Sequence, residues 1–199
     1  MKRRVGAVFS PNDLILIRHG VTQSTGRLCG RTDVGLSASQ PDVLDGLVSA
    51  LAGVSTVITS PAQRCVQTAD LIWGQGARPV DPRLWEQDFG AWENMLFEDI
   101  PDIGVLEQRA LARHRPPQGE SFLDLCDRVK PAFEDAAQLA TEGPVAIVAH
   151  AGVIRAAVGF TLGKPASGLG VDVSHLSVTR LRCLADDGFS MIESNWHPS

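Results

Sequence analysis

The stretch Leu14-Ile15-Leu16-Ile17-Arg18-His19-Gly20 decides the reading of the fold. Its apolar run stands between Asp13 and Arg18, the pattern of a short strand buried on both faces, as strands of a parallel sheet are. Working outward, two other stretches have the same form. Val54 to Thr59 is rich in β-branched residues and gives way to Ser60-Pro61. Val145-Ala146-Ile147-Val148-Ala149 follows Gly143-Pro144 and runs into His150. Helical spacing fills the intervals. Val43, Leu44, Leu47, Val48 and Leu51 predict a helix from Ser37 to Leu51 that stops at Gly53. Ser60-Pro61 has a capping serine and a first-turn proline, and predicts a helix running to about Trp73. Further helices are expected from Glu120 to about Ala140, with Pro131 as a kink, and from Ala151 to Leu162. Two final strands are expected at 176–184 and 189–194. The least regular segment is 74–119, with a short strand near Val80, an acidic-aromatic stretch from Leu84 to Trp92, and weak helical signals over 95–115. Pro116-Pro117-Gln118-Gly119 closes it as a breaker. This alternation predicts an α/β fold, a three-layer α/β/α sandwich with a mainly parallel sheet, as one domain over 1–199.

The 199 residues are 44% hydrophobic and 21% charged, with a formal net charge of −5. A chain of that length buries roughly 70% of its unfolded surface, so its core needs no metal or disulfide staple. With 18 lysines and arginines and an acidic balance, general nucleic-acid binding is disfavoured. Affinity for an anion must come from a local cluster. The cysteines at 29, 65, 126 and 183 form no CxxC pair and read as unrelated reduced thiols. No apolar run approaches the roughly 18 residues that cross a bilayer. Lys2-Arg3-Arg4 is reminiscent of an export signal, but Pro11, Asn12 and Asp13 leave no clean apolar stretch behind it. A cytoplasmic protein with no membrane or nucleic-acid partner is expected.

The chemistry gathers at the strand ends. The first strand delivers Arg18-His19-Gly20, the second Ser60-Pro61 and then Arg64, the third His150-Ala151-Gly152. In open α/β sheets, ligands bind in the crevice outside the carboxyl ends of the strands. His19, His150, Arg18 and Arg64 would therefore meet at one sheet edge. The helix after His150 would also point backbone N–H groups at an anion there. Such a cluster suits a phosphoryl group, because guanidinium forks match its oxygens and imidazole is a competent nucleophile near neutral pH.

Leu14-Ile15-Leu16-Ile17-Arg18-His19-Gly20 resembles the Arg-His-Gly signature of the histidine phosphatase superfamily, the phosphoglycerate-mutase-like fold. Further blocks occur in the family's order along nearly the whole chain. Ser60-Pro61-Ala62-Gln63-Arg64-Cys65-Val66-Gln67-Thr68-Ala69 is similar to the second motif, with its phosphate-binding arginine. Leu84-Trp85-Glu86-Gln87-Asp88-Phe89-Gly90-Ala91-Trp92-Glu93 resembles the segment that bears the general acid, at Glu86. Pro116 to Ser121 is similar to a loop before the family's long helix, and Val148 to Arg155 matches the second-histidine motif. The resemblance implies that His19 attacks phosphorus as neutral imidazole. Arg18, Arg64 and His150 would hold the equatorial oxygens, and Glu86 would protonate the leaving alkoxide and then activate water. The surrounding cations should favour neutral His19. Glu86 would need burial against Trp85, Phe89 or Trp92 to hold a proton near neutral pH. No metal or other cofactor is implied, and the partner would be a small phosphorylated metabolite or inorganic phosphate.

One stretch departs from the family pattern. Thr25 stands where members often carry Asn, Val21 replaces an acidic or amide residue, and Gly26-Arg27 arrives early. Arg27 is kept as a candidate phosphate contact. The shortened loop, with Gly30-Arg31-Thr32-Asp33, looks more like the phosphatase branch, α-ribazole-phosphatase-like members included, than the mutases. A mutase-type transfer and a catalytically silent phospho-ligand binder are the alternatives. His114, His175 and His197 have no metal-ligand spacing and read as surface or structural residues. Arg109, Arg113 and Arg115 read as a solvated helix face.

Overall fold

A computed structural model describes residues 9–40, 42–186 and 188–198. Lys2-Arg3-Arg4 lies outside the described residues. The strands are β1 (Asp13–Arg18), β2 (Thr56–Thr59), β3 (Val145–Ala149), β4 (Val178–Cys183) and β5 (Phe189–Trp196). The α-helices are α1 (Val43–Leu51), α2 (Gln63–Trp73), α3 (Gln108–Arg113), α4 (Phe122–Ala140) and α5 (Ala151–Thr161). No helix among the described residues is long and apolar enough to cross a membrane.

One five-stranded sheet runs in the order β2-β3-β1-β4-β5. The first three strands are parallel, and β4 and β5 join antiparallel, so the sheet is mixed rather than mainly parallel. The reason is the length of the link between β4 and β5. It covers only 184–188, and a parallel crossover needs a dozen or more residues.

Side chains alternate along β1. Leu14 and Leu16 pack in one buried cluster with Leu125, Val129 and Phe133 of α4 and Val153 and Ile154 of α5. Ile15 and Ile17 face the other way, into a cluster with Leu47 and Leu51 of α1 and Cys65, Ala69 and Ile72 of α2. Helices therefore cover both faces of the sheet, which is why β1 and β3 are apolar at successive positions.

Several expected elements are shorter than the sequence pattern suggests. The first helix begins at Val43, not Ser37, because the Gln40 side chain ties the preceding segment to the backbone of Val21, at 2.9 Å for each bond. Near Val80 there is only a bridge to Thr59. Over 95–115 the chain forms a single 3₁₀ turn at Phe97–Asp99 and the short α3. α4 starts at a capping box, where Ser121 accepts from Asp124 N and Asp124 accepts from Ser121 N. It continues through Pro131 to Ala140.

What this fold contributes to function is alignment. Arg18 pairs with Ala149 and Thr59 with Val148, so β1, β2 and β3 end at one level. His19 N–H and Ser60 N–H extend the ladder to Ala149 O and Val148 O, both at 3.0 Å. Leu16, fully buried in the α4/α5 cluster, holds β1 in that alignment. Leu16→Ala should destabilise the protein by about 2–5 kcal/mol, read as a lower urea midpoint with an unchanged slope.

Candidate active site

The three parallel strand ends open on a cavity of about 480 Å³. Arg18, His19, Arg64 and Glu86 line it, together with Arg155, His175 and residues of the 21–29 loop.

His19 has a defined tautomer. Its Nδ1 lies 2.8 Å from Gly20 O, and a carbonyl can only accept, so Nδ1 carries the proton and Nε2 keeps its lone pair. Burial first, and then the charge of Arg64, Arg18 and His175, holds His19 well below the ordinary 6.5 of imidazole, against an opposing contribution from the Gly20 bond. The expected neutral imidazole is thus favoured by its setting, with desolvation the leading cause.

Arg64 is 1% exposed. Its Nη1 donates to Thr32 O at 3.0 Å and its Nη2 to Gly30 O at 2.7 Å. Its Nε donates to His150 Nδ1 at 3.3 Å, so the His150 proton sits on Nε2, which faces Ser60 Oγ at 2.8 Å. Ser60, expected as a helix cap, serves this histidine instead, and α2 begins beyond it with Ala62 in the cap position. His150 is fully buried and stacks on Trp85, with ring centroids 6.3 Å apart. The family resemblance implies that His150 holds a phosphoryl oxygen. Both its nitrogens are engaged within the protein here, and its ring lies 5.2 Å from that of His19, edge to face.

Glu86 is 9% exposed, and its carboxylate does not sit in a purely apolar pocket. Oε2 accepts from Gly152 N at 3.1 Å and Oε1 from Gln87 N at 3.0 Å. The N-terminal end of α5, expected to hold a ligand anion, holds the Glu86 carboxylate. A Cβ at residue 152 would come within 2.3 Å of Glu86 Oε1, so only glycine admits this approach. The backbone at and before Glu86 is clamped by Arg128 of α4, which donates to Arg83 O at 2.6 Å, Trp85 O at 3.0 Å and Glu86 O at 3.2 Å. Glu120 holds Arg128 in turn, at 2.7 Å.

Arg18 donates through Nη1 to Val173 O at 2.6 Å, while its buried Nε has no partner among the described residues. Arg27 is at the cavity but exposed, and its Nη1 donates to Asn94 O at 2.7 Å. The 26–28 loop pairs with 94–97, which draws that guanidinium away from the buried end.

Two cavity residues escaped the sequence reading. His175, taken as surface or structural, lies with its ring 5.2 Å from that of His19 and its Nδ1 3.0 Å from His19 O. It arrives there because the chain entering β4 pairs with the end of β1, and no sequence signal carries that register. Arg155 also lines the cavity. It stands four residues beyond Ala151, on the same helix face, a spacing that could have been read.

The family model of the histidine phosphatase superfamily, branch 1, matches residues 14–197. The chain belongs to that superfamily. It is 36% identical over 135 residues to a bifunctional protein of Mycobacterium tuberculosis, a match that takes in 63% of this chain and 37% of that protein. The match thus spans only 37% of the length of the first curated relatives. The chain is 30% identical over 168 residues to a glucosyl-3-phosphoglycerate phosphatase of Mycolicibacterium vanbaalenii, covering 76% of this chain and 75% of the other. Among solved structures, the α-ribazole phosphatase of Shigella flexneri matches with a TM-score of 0.77 at 26% identity, over 92% of this chain and 96% of that one. The superfamily's mutase-like fold therefore accommodates this sequence from β1 to β5.

Burial of neutral histidines has a consequence for stability. His150, like His19, is held well below 6.5, by burial first and then by His19, Arg64, Arg18 and Arg128. Below about pH 6.5 the unfolded chain takes up protons that the native state refuses, so stability rises with pH in that window and is lost as pH falls. Each such histidine contributes up to about 1.4 kcal/mol per pH unit to the slope. Urea midpoints measured from pH 7.5 down to 5.5 should fall for the natural protein, and His150→Asn should show a shallower fall.

Proposed function

We propose that this chain is a phosphatase that hydrolyses a small phosphomonoester through a phosphohistidine on His19. The observation that carries the reading is the His19 tautomer: Nδ1–H is fixed on Gly20 O, which leaves the Nε2 lone pair for attack in a cavity also lined by Arg18, Arg64 and Glu86. In the first step Nε2 forms a bond to phosphorus and the bond to the alcohol oxygen breaks. Glu86 delivers a proton to that oxygen. In the second step Glu86 takes a proton from water, the water oxygen bonds to phosphorus, and the bond to Nε2 breaks. Phosphate leaves and His19 is restored. Arg18 and Arg64 hold the equatorial oxygens and stabilise the charge that develops on them. His150 keeps the Arg64 guanidinium turned to the phosphoryl group through its Nδ1. The mechanism routes no step through a metal.

Helix pairs on either face of the sheet support a three-layer α/β/α arrangement, and residues 14–197 act as one phosphatase unit. The cysteines are free thiols, which fits the cytoplasm. The named relatives act on phosphorylated metabolites, a glucosyl-3-phosphoglycerate and an α-ribazole phosphate, which supports a small phosphomonoester as substrate.

His19→Ala should abolish turnover of an aryl phosphate in the presence of chelator while far-UV circular dichroism stays native. Glu86→Gln keeps the shape but moves no proton, so turnover should fall by roughly 10²–10⁴. An aryl phosphate leaves without much help from an acid, so this variant should accumulate an acid-labile phosphoenzyme. Substantial turnover in His19→Ala would sink the mechanism.

Hydrolysis rather than transfer follows from the shortened first loop and from Thr25 in place of the mutase-like Asn. With 3-phosphoglycerate and catalytic 2,3-bisphosphoglycerate, phosphate release should outrun isomerisation. The reverse order would make the chain a mutase.

A further inference from the structure

Glu93 takes no part in the chemistry above, yet its carboxylate collects hydrogen bonds from one short loop. Oε1 accepts from Arg31 N at 2.8 Å, and Oε2 from Thr32 N at 2.9 Å, Gly30 N at 3.2 Å and Thr32 Oγ1 at 2.6 Å. Phe89 N adds a bond to Oε1 at 3.1 Å. The carbonyls of the same loop point the other way. Gly30 O and Thr32 O receive Arg64 Nη2 and Nη1. The peptide group between Gly30 and Arg31 thus gives its C=O to the guanidinium and its N–H to the carboxylate. An anion and a cation polarise one peptide from opposite ends, which strengthens both bonds.

We infer that Glu93 is a positioning residue for Arg64, acting through the 30–32 loop to fix the guanidinium in the orientation that receives the phosphoryl group. The inference rests on the role given to Arg64 above. Burial raises the Glu93 carboxyl, and the bonds from Thr32, Arg31 and Phe89 outweigh it, so the group is held below the ordinary carboxylate range and is charged at neutral pH. The loop also has little freedom to adjust. A Cβ on residue 30 would meet Gln87 O at 1.9 Å, Glu93 Oε1 at 2.7 Å and Phe89 Cδ2 at 2.8 Å. Only glycine lets the loop lie this close to the segment that carries Glu93.

Glu93→Gln keeps the volume but turns an amide N–H₂ against backbone donors. The loop must then rotate, and Arg64 with it. Displacing a group that meets the reacting centre by about 1 Å costs as much as roughly 10²-fold in rate. The test is a double-mutant cycle on kcat/KM with an aryl phosphate, together with the competitive Ki of inorganic phosphate. Glu93→Gln, Arg64→Ala and the double variant are compared below their unfolding temperatures. If Glu93 acts through Arg64, Glu93→Gln should lower kcat/KM and raise the phosphate Ki, and the double variant should be no worse than Arg64→Ala. Losses that multiply in the double variant would overturn the inference, as would Glu93→Gln with natural kinetics. Should Glu93→Gln fail to fold, Glu93→Asp, which keeps the charge on a shorter arm, replaces it in the same cycle and is read the same way. If Arg64→Ala alone leaves kcat/KM and Ki unchanged, the phosphoryl-holding role of Arg64 fails, and this inference with it.

Discussion

A guanidinium with 1% of its surface exposed must find its hydrogen-bond partners inside the protein, and Arg64 finds them in two peptide carbonyls and an imidazole. That choice of partners is what the site depends on. A carboxylate in contact with the guanidinium would satisfy its protons and cancel its charge. Carbonyl dipoles satisfy the protons and leave the charge available to an incoming anion. The Glu93 charge that offsets the burial lies one peptide group farther away. The same net positive charge works on both histidines, where burial already favours the neutral imidazole.

Glu86, the proposed acid, is held by a comparable device. Arg128 is satisfied by Glu120 and by the carbonyls of Arg83, Trp85 and Glu86, so the segment bearing Glu86 is fixed by its backbone rather than by its carboxylate. The carboxylate itself keeps only two backbone N–H contacts, at Gly152 and Gln87. The proton transfers proposed for Glu86 thus leave the support beneath it in place. Arg64 and Glu86 are each anchored at the cavity through main-chain atoms.

The strand ends that carry the candidate site are legible because they follow from a local pattern. A buried apolar run that gives way to polar letters marks the end of a strand, so Ile17-Arg18-His19 and Ala149-His150 each announce a strand and its payload in consecutive letters. The mixed character of the sheet could have been read as well, from the short gap between the last two strands, which forbids a parallel crossover. His175 was not legible, because its place beside His19 depends on the antiparallel register between β4 and β1. The same holds for the role of Ser60. A serine before a proline reads as a cap by local rules, and only the parallel β2-β3 pairing sets it against His150. Residues whose function depends on a neighbour ninety positions away leave no local trace.

The segment from Glu86 to Phe97, the least regular in sequence, combines tasks that constrain it unequally. Glu86 reaches the α5 N-terminus, Gly90 turns at a φ of 52° where a Cβ would lie 2.2 Å from Pro117 O, and Glu93 ties down the 30–32 loop. In the same segment, Phe89 and Phe97 line the cavity with side chains that make none of these bonds. In the proposed phosphatase, a change at Phe97 alters what the organic part of a phosphomonoester meets, whereas Phe89 also packs on the 30–32 loop, its Cδ2 2.8 Å from where a Cβ on residue 30 would stand. Irregular backbone is what permits this division. A helix or strand would fix all its side chains on a common period, whereas here each turn aims one residue independently. Specificity can therefore vary within the same short segment that also holds the machinery still.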